Sequence, residues 1–280
     1  MTTTRTHDRA NGRTHDRTGR SPMSTFPAGT FTPAPGRGRV GHMVLTHTRT
    51  EAVLTLRNSE QVLLTLLIPL ALLIGLTVLH VFDLPEPRVD SVAPRIFALA
   101  VMSSAFTGQA IALGFDRRYG VLKRLAATAL PRWLLVGGRA LAGLVVVTVQ
   151  LVVLGIAALL LGWSPSAAGL AWAVLLVVLG ALSFGALGVL LGGALKAEVV
   201  LALANIVWFV LLLAGGIAVP VDSMPEALGN VVSLLPSAAL AEGMHTALVD
   251  GAVPDWSVFA LLIGWGGAGA LLAARTTRLS

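Results

Sequence analysis

From Ala140 to Leu195 the chain carries no Asp, Glu, Lys, Arg or His. No other feature restricts the fold so severely. A bilayer core takes about 20 apolar residues per helical crossing, so the oily run Leu134–Leu195 is long enough for two. Gly162-Trp163-Ser164-Pro165-Ser166 supplies the turn between them, with Trp163 expected at interface depth. Only 12% of the residues are charged and 55% are hydrophobic, with mean hydropathy +0.81. A soluble domain carries about a quarter charged residues. The chain is therefore an all-α integral membrane protein. Without cysteine it has no disulfide and no thiolate chemistry.

Six membrane helices are expected. The first covers about Val62–Phe82, interrupted by Pro69 and Gly75, and the second about Val92–Gly114. The third and fourth share the run described above. The fifth covers about Val199–Val219 and the sixth about Trp256–Ala274. The segment 220–255 is too apolar for a plain loop. Ser223-Met-Pro-Glu226 has capping-box spacing, and a second helix start follows Pro236-Ser237. Neither helix can span, so the pair is expected as a short re-entrant hairpin ending near Gly251.

Three regions follow along the chain: a disordered basic tail over 1–43, an amphipathic interface helix over 44–61 and a six-helix membrane domain over 62–280. The tail repeats Arg-Thr-His-Asp-Arg at Arg5–Arg9 and Arg13–Arg17 and lacks the apolar residues a core needs. In the next segment Val44, Leu45, Ala52, Val53 and Leu56 recur at helical spacing. His47, Glu51, Arg57 and Asn58 fall largely opposite. With six crossings both termini share one side. That side holds 18 of the 20 basic residues and 6 of the 14 acids. The positive-inside rule makes it cytoplasmic. A pI near 11.1 then reports topology, and nucleic acid is not a partner.

The basic residues are densest in Phe115-Asp-Arg-Arg-Tyr-Gly-Val-Leu-Lys-Arg-Leu-Ala-Ala-Thr-Ala-Leu-Pro131. Phe115, Tyr119, Leu122, Ala126 and Ala129 share one helical face, and Arg117, Lys123 and Arg124 lie mostly on the other. Pro131 ends the helix. This predicts an amphipathic helix on the cytoplasmic side between the second and third spans, with anionic membrane lipid as one partner of its cations.

The order of residues here resembles the coupling segment of ABC-2 type transporter permeases, in which a run similar to E-x-x-x-G-T-L-x-x-L-x-x-T-P links the second and third spans. Gly120, Leu122, Leu125, Thr128 and Pro131 occupy the pattern's places. Asp116 stands for its glutamate and Val121 for its threonine, and Ala129-Leu130 displaces the proline slightly. The interface helix, the span count, the outer hairpin and Leu235–Gly243 before the last span extend the resemblance from about Thr46 onward. It implies a bacterial cell-membrane permease that exports a small-molecule substrate, a drug, antibiotic or lipid-like compound. It further implies a separate ABC ATPase subunit and a second permease copy, identical or related. Asp116, Arg117, Arg118, Tyr119, Gly120, Leu122, Lys123, Arg124, Leu125 and Thr128 would couple to the ATPase, assisted by Glu51 and Arg57 of the interface helix.

The chain holds no G-x-x-x-x-G-K-[ST] loop, and neither Lys123 nor Lys196 follows a glycine. It is not itself an ATPase, and no cofactor is expected. Gln109, Gln150 and Asn205 are amides inside spans, as candidates for the substrate path or as helix-packing contacts. Glu242 and His245 form an E-x-x-H pair for which His80 is the one further candidate ligand, so no metal site is expected. The alternative reading is an ion-gradient-driven carrier, which would need an intramembrane acid that none of the expected spans supplies. A membrane-embedded enzyme would need a catalytic cluster at one depth, and none is evident.

Overall fold

The computed structural model describes residues 39–79, 86–126, 131–219, 221 and 224–276. The expected tail up to Gly38 lies outside them, as do His80, Asp222, Ser223 and Thr128. All regular structure among the described residues is helical. In chain order the helices are α1 (Val40–Arg57), α2 (Ser59–Val78), α3 (Arg88–Met102), α4 (Gln109–Arg118), α5 (Val121–Ala126), α6 (Arg132–Leu160), α7 (Ala167–Ala194), α8 (Ala197–Ala214), α9 (Glu226–Val232), α10 (Pro236–Leu248) and α11 (Trp256–Thr276). A π-helical stretch, Ser103–Gly108, joins α3 to α4 without a break in the helix path.

Among the described residues five helices are long and apolar enough to cross a membrane: Arg88–Arg118 through the π-turn, Val136–Leu160, Ala167–Ala194, Ala197–Ala214 and Trp256–Thr276. α9 and α10, bent by 92° at Ser233–Leu235, are long and apolar enough only when taken together as one broken span. The first expected span falls on α2, Ser59–Val78. The second begins earlier than expected. Arg88 and Asp90, ahead of the expected start at Val92, already belong to helix α3. Arg88 is buried there because it serves as a cap. Its guanidinium donates to the carbonyls of Leu76 (3.3 Å) and Leu79 (3.1 Å), which the end of α2 leaves without intrahelical partners.

The core is built around α3, the π-turn and α7. Leu99, Val101, Met102, Leu176 and Phe184 are fully enclosed there, together with Leu240 and Met244 of α10. Small residues let these backbones approach. A Cβ on Gly188 of α7 would stand 2.7 Å from the Phe106 carbonyl oxygen in the π-turn. Trp163 is buried, with its ring edge-on to Phe97 at 5.3 Å between centroids, because the 162–166 turn folds back onto α3. Gly162 makes that turn with a positive φ of 96°. By contrast α8 leaves Ile206, Phe209, Val210 and Leu213 exposed, and α6 leaves Val149, Val152, Ile156 and Leu159. Apolar rows of this kind suit lipid or another helix, not water.

Candidate functional site

The charged residues of the basic segment converge where α4 ends. The structure does not continue one helix from Phe115 to Pro131. α4 stops at Arg118, Gly120 takes a positive φ of 69°, and α5 covers Val121–Ala126. A left-handed residue terminates an α-helix, and glycine adopts that conformation without a Cβ clash. The single apolar face expected over Phe115–Ala129 is therefore split. Phe115 and Tyr119 still stack, 6.0 Å apart, yet Tyr119 is 64% exposed.

The last turn of α4 points three consecutive charged residues at three neighbours, since successive side chains on a helix diverge by about 100°. Asp116 accepts from Arg139 of α6. One guanidinium nitrogen of Arg117 donates to the carbonyls of Gly192 (3.1 Å) and Leu195 (3.2 Å), at the end of α7. Arg118 pairs with Glu198 in the first turn of α8, and its guanidinium lies 5.9 Å from the Tyr119 ring centre. Arg117 thus does not lie on an outer face with Lys123 and Arg124, as the helical pattern suggested. It turns inward, because the final carbonyls of α7 need donors that the elbow Leu195–Lys196 does not supply. A positive charge is also favourable at a helix C-terminus, as an acid such as Glu198 is at an N-terminus.

Between α4, α5 and the elbow lies an open cavity of about 500 Å³, lined by Arg117, Arg118, Leu122, Lys123, Lys196 and Glu198 among others. Lys123 and Arg124 on α5 are exposed, while Leu122 and Leu125 are partly covered. A smaller cavity, about 50 Å³, opens where α1 meets α4 and α6, and brings Glu51 and Thr55 together with Arg139, Gln109, Ser104 and Thr65. α1 rests on α6 there, with the His47 ring over Gly138. Arg57 ends α1 exposed.

The three span amides are not gathered in one place. Gln150 is 2% exposed. It donates to the Thr65 hydroxyl (2.8 Å) and accepts from that of Ser104, so it ties α2, the π-turn and α6 together. Gln109 sits at the small cavity, its amide against Gly143. Asn205 lies on the exposed side of α8 and donates to the Leu201 carbonyl one turn back (2.8 Å). Sequence reasoning counted Arg139 and Glu198 as topology charges only. The signal that marks Arg139 is its position inside an apolar helix, where a charge needs a partner. Among the described residues no cluster of His, Asp and Glu could hold a metal; His245 has Asp250 as its neighbour, 3.9 Å away.

Residues 43–249 match the model of the family described as ABC-2 type transporter. Over 214 residues the chain is 25% identical to the "Putative transport permease YvfS" of Bacillus subtilis (strain 168), an alignment that covers 75% of this chain and 86% of that protein.

Proposed function

The chain belongs to the ABC-2 type transporter family, and from that premise we propose that it is the permease subunit of an exporter in a bacterial cell membrane, with both termini in the cytoplasm. Membership makes it a multi-pass membrane transport subunit of an ABC transporter, and it implies an ABC ATPase as partner and a second permease subunit. In this reading α5 and the exposed side of α1 meet the ATPase, and ATP hydrolysis occurs on that partner. The cargo is a hydrophobic or amphipathic compound, such as a drug, an antibiotic or a lipid-like molecule, taken from the cytoplasm or inner leaflet. The apolar lining of the helices and the few scattered amides fit such a cargo better than an ion or a sugar. The regions then read as a cytoplasmic tail over 1–43, an interface helix over 44–61 and the permease domain over 62–280.

The observation that carries this reading is the division of labour at Gly120. Asp116, Arg117 and Arg118 are tied to three other helices, and the next helix presents Lys123 and Arg124 outward. An exposed helix whose base is anchored to the membrane helices is built to pass on a push from outside.

The test is copurification from solubilised membranes with the intact chain as bait. An ATP-binding subunit should come down with the wild type, and at least tenfold less with K123E/R124E at equal insertion. Among the described residues those two side chains are exposed and have no hydrogen bond or ion pair, so their reversal should leave the fold intact. If no ATP-binding protein copurifies with the wild type, the exporter reading fails and an ion-driven carrier takes its place.

A further inference from the structure

We infer that Arg117, Arg118 and Glu198 are positioning residues that make α8 the helix driven by α5. The inference rests on the exporter reading and adds to it the route by which nucleotide-driven motion enters the membrane.

α8 is the least enclosed of the long helices. It packs against α4, the π-turn and, more sparsely, α7, and leaves Ile206, Phe209, Val210 and Leu213 exposed. Within one subunit few packing partners hold this helix, so its movement depends on what grips its end. The grip is at the elbow. Arg117 holds the last carbonyls of α7, at Gly192 and Leu195, and Arg118 holds Glu198, two residues beyond Lys196. The two arginines therefore bracket the hinge between α7 and α8 from a single turn of α4. That turn is joined to α5 through Tyr119 and Gly120, and α5 packs against it.

The other contacts of α4 do not offer such a lever. Towards α7 it is closely packed, with Gly188 and Gly192 against the backbone of the π-turn and α4, so relative motion there is blocked by main-chain contact. Asp116 fastens it to α6. A push on α5 that rotates the end of α4 is consequently transmitted to the neighbour least enclosed within the subunit. The Arg118–Glu198 pair is largely solvated and adds little to stability. Its value lies in direction, since it fixes which part of α8 follows the turn. Coupling of this kind is demonstrated only by paired substitutions.

The chain has no cysteine, so a single introduced thiol reports unambiguously. An environment-sensitive fluorophore is placed on Ile206→Cys, in the complex of the chain with its copurified ATPase in lipid nanodiscs. ATP with vanadate should shift the emission. R117A/R118E should reduce the shift at least fivefold, while the ATPase stays bound and hydrolyses ATP. R118E alone should reduce it about twofold, R118E/E198R should restore it, and R117K should retain it. The last two variants keep the test valid if R117A/R118E does not insert. A full shift in R118E and R117A/R118E, or an R118E/E198R protein that binds ATPase normally yet is not rescued, overturns the inference. So does a wild-type complex that hydrolyses ATP with no shift at Ile206. Absence of any bound ATPase in the wild type refutes the exporter reading itself.

Discussion

Gly188→Ala tests whether the contact between α7 and the π-turn is as close as the structure has it. A Cβ at this position would lie 2.7 Å from the Phe106 carbonyl oxygen, 3.1 Å from that of Ala105 and 3.2 Å from the Gln109 Cβ. Carbon and oxygen need about 3.3 Å even in a favourable Cα–H···O contact. The nearest two atoms are main chain, so no rotamer relieves the overlap and the helices must separate by about half an ångström. Overpacking of this kind costs about 1–3 kcal/mol. Against it stands a helix-propensity gain of up to about 1 kcal/mol for replacing glycine. The expected net loss is about 1–2 kcal/mol, and with roughly 2–4 °C per kcal/mol for a domain of this size, Tm falls by about 3–7 °C. Gly185 is an internal control on the same helix, because nothing lies within 4 Å of its would-be Cβ. Thermal unfolding in one detergent, followed by size-exclusion of a fluorescent fusion, separates the two. Gly185→Ala should match or exceed the wild type. If Gly188→Ala does so too, or if both fall equally, the close approach of α7 to the π-turn is wrong.

Gln150→Ala removes two interhelical hydrogen bonds, each worth about 0.6–1.7 kcal/mol in a membrane interior, so the same unfolding assay should register a loss of about 1–3 kcal/mol. Asn205→Leu, on the exposed side of α8, should leave Tm unchanged. Asp255 caps α11 by accepting from the Ser257 N–H at 2.8 Å, and hydrogen bonds from the Ser257 side chain and then its backbone hold the carboxyl below the ordinary carboxylate range. A depressed pKa contributes stability above the unfolded value, near 3.9, and that contribution is lost as pH falls through the folded one. The wild type should therefore exceed Asp255→Asn in Tm at pH 6, with the difference shrinking as pH falls below the ordinary carboxylate range.

What the sequence made legible follows from how each signal arises. The long apolar runs announce helices because a chain without ionisable groups has few other solutions in lipid. The start of α10 at Pro236 was legible because proline is tolerated at a helix's first position, where its missing N–H has no partner anyway. The burial of Trp163 was not, since an indole beside a turn looks the same whether it faces headgroups or folds back onto Phe97. The π-turn leaves no periodic trace either. Ser103, Ser104 and Thr107 read as scattered hydroxyls, although Ser103 accepts from the Trp208 indole and Ser104 meets Gln150. At the basic segment the residue types were legible, and their directions were not. Helical periodicity assumed one uninterrupted helix, and a single left-handed glycine re-aims everything after it.

Gly120 is accordingly the residue on which the arrangement turns. Nothing lies within 4 Å of its would-be Cβ, so alanine there meets no steric obstacle, and the penalty comes from the backbone alone. Holding an L-residue at a φ near +69° costs about 1–2 kcal/mol. The chain escapes that cost by letting α4 run on in the α-helical sense, which would swing α5 away from its present direction while leaving the three ties of Asp116, Arg117 and Arg118 in place. Stability should then change little, because α5 packs on α4 and leaves Lys123 and Arg124 exposed. Recognition by the ATPase should suffer instead. If the subunit binds α5 in its present direction, Gly120→Ala must supply that 1–2 kcal/mol at binding, a loss in affinity of roughly 5–30-fold. Gly120→Asn should lose less, since asparagine tolerates the left-handed region better than alanine. Titration of purified ATPase onto the three proteins in nanodiscs gives the order directly. Equal affinities at equal Tm would mean that the direction of α5 is immaterial to docking, and the division at Gly120 would then be a local turn with no part in coupling.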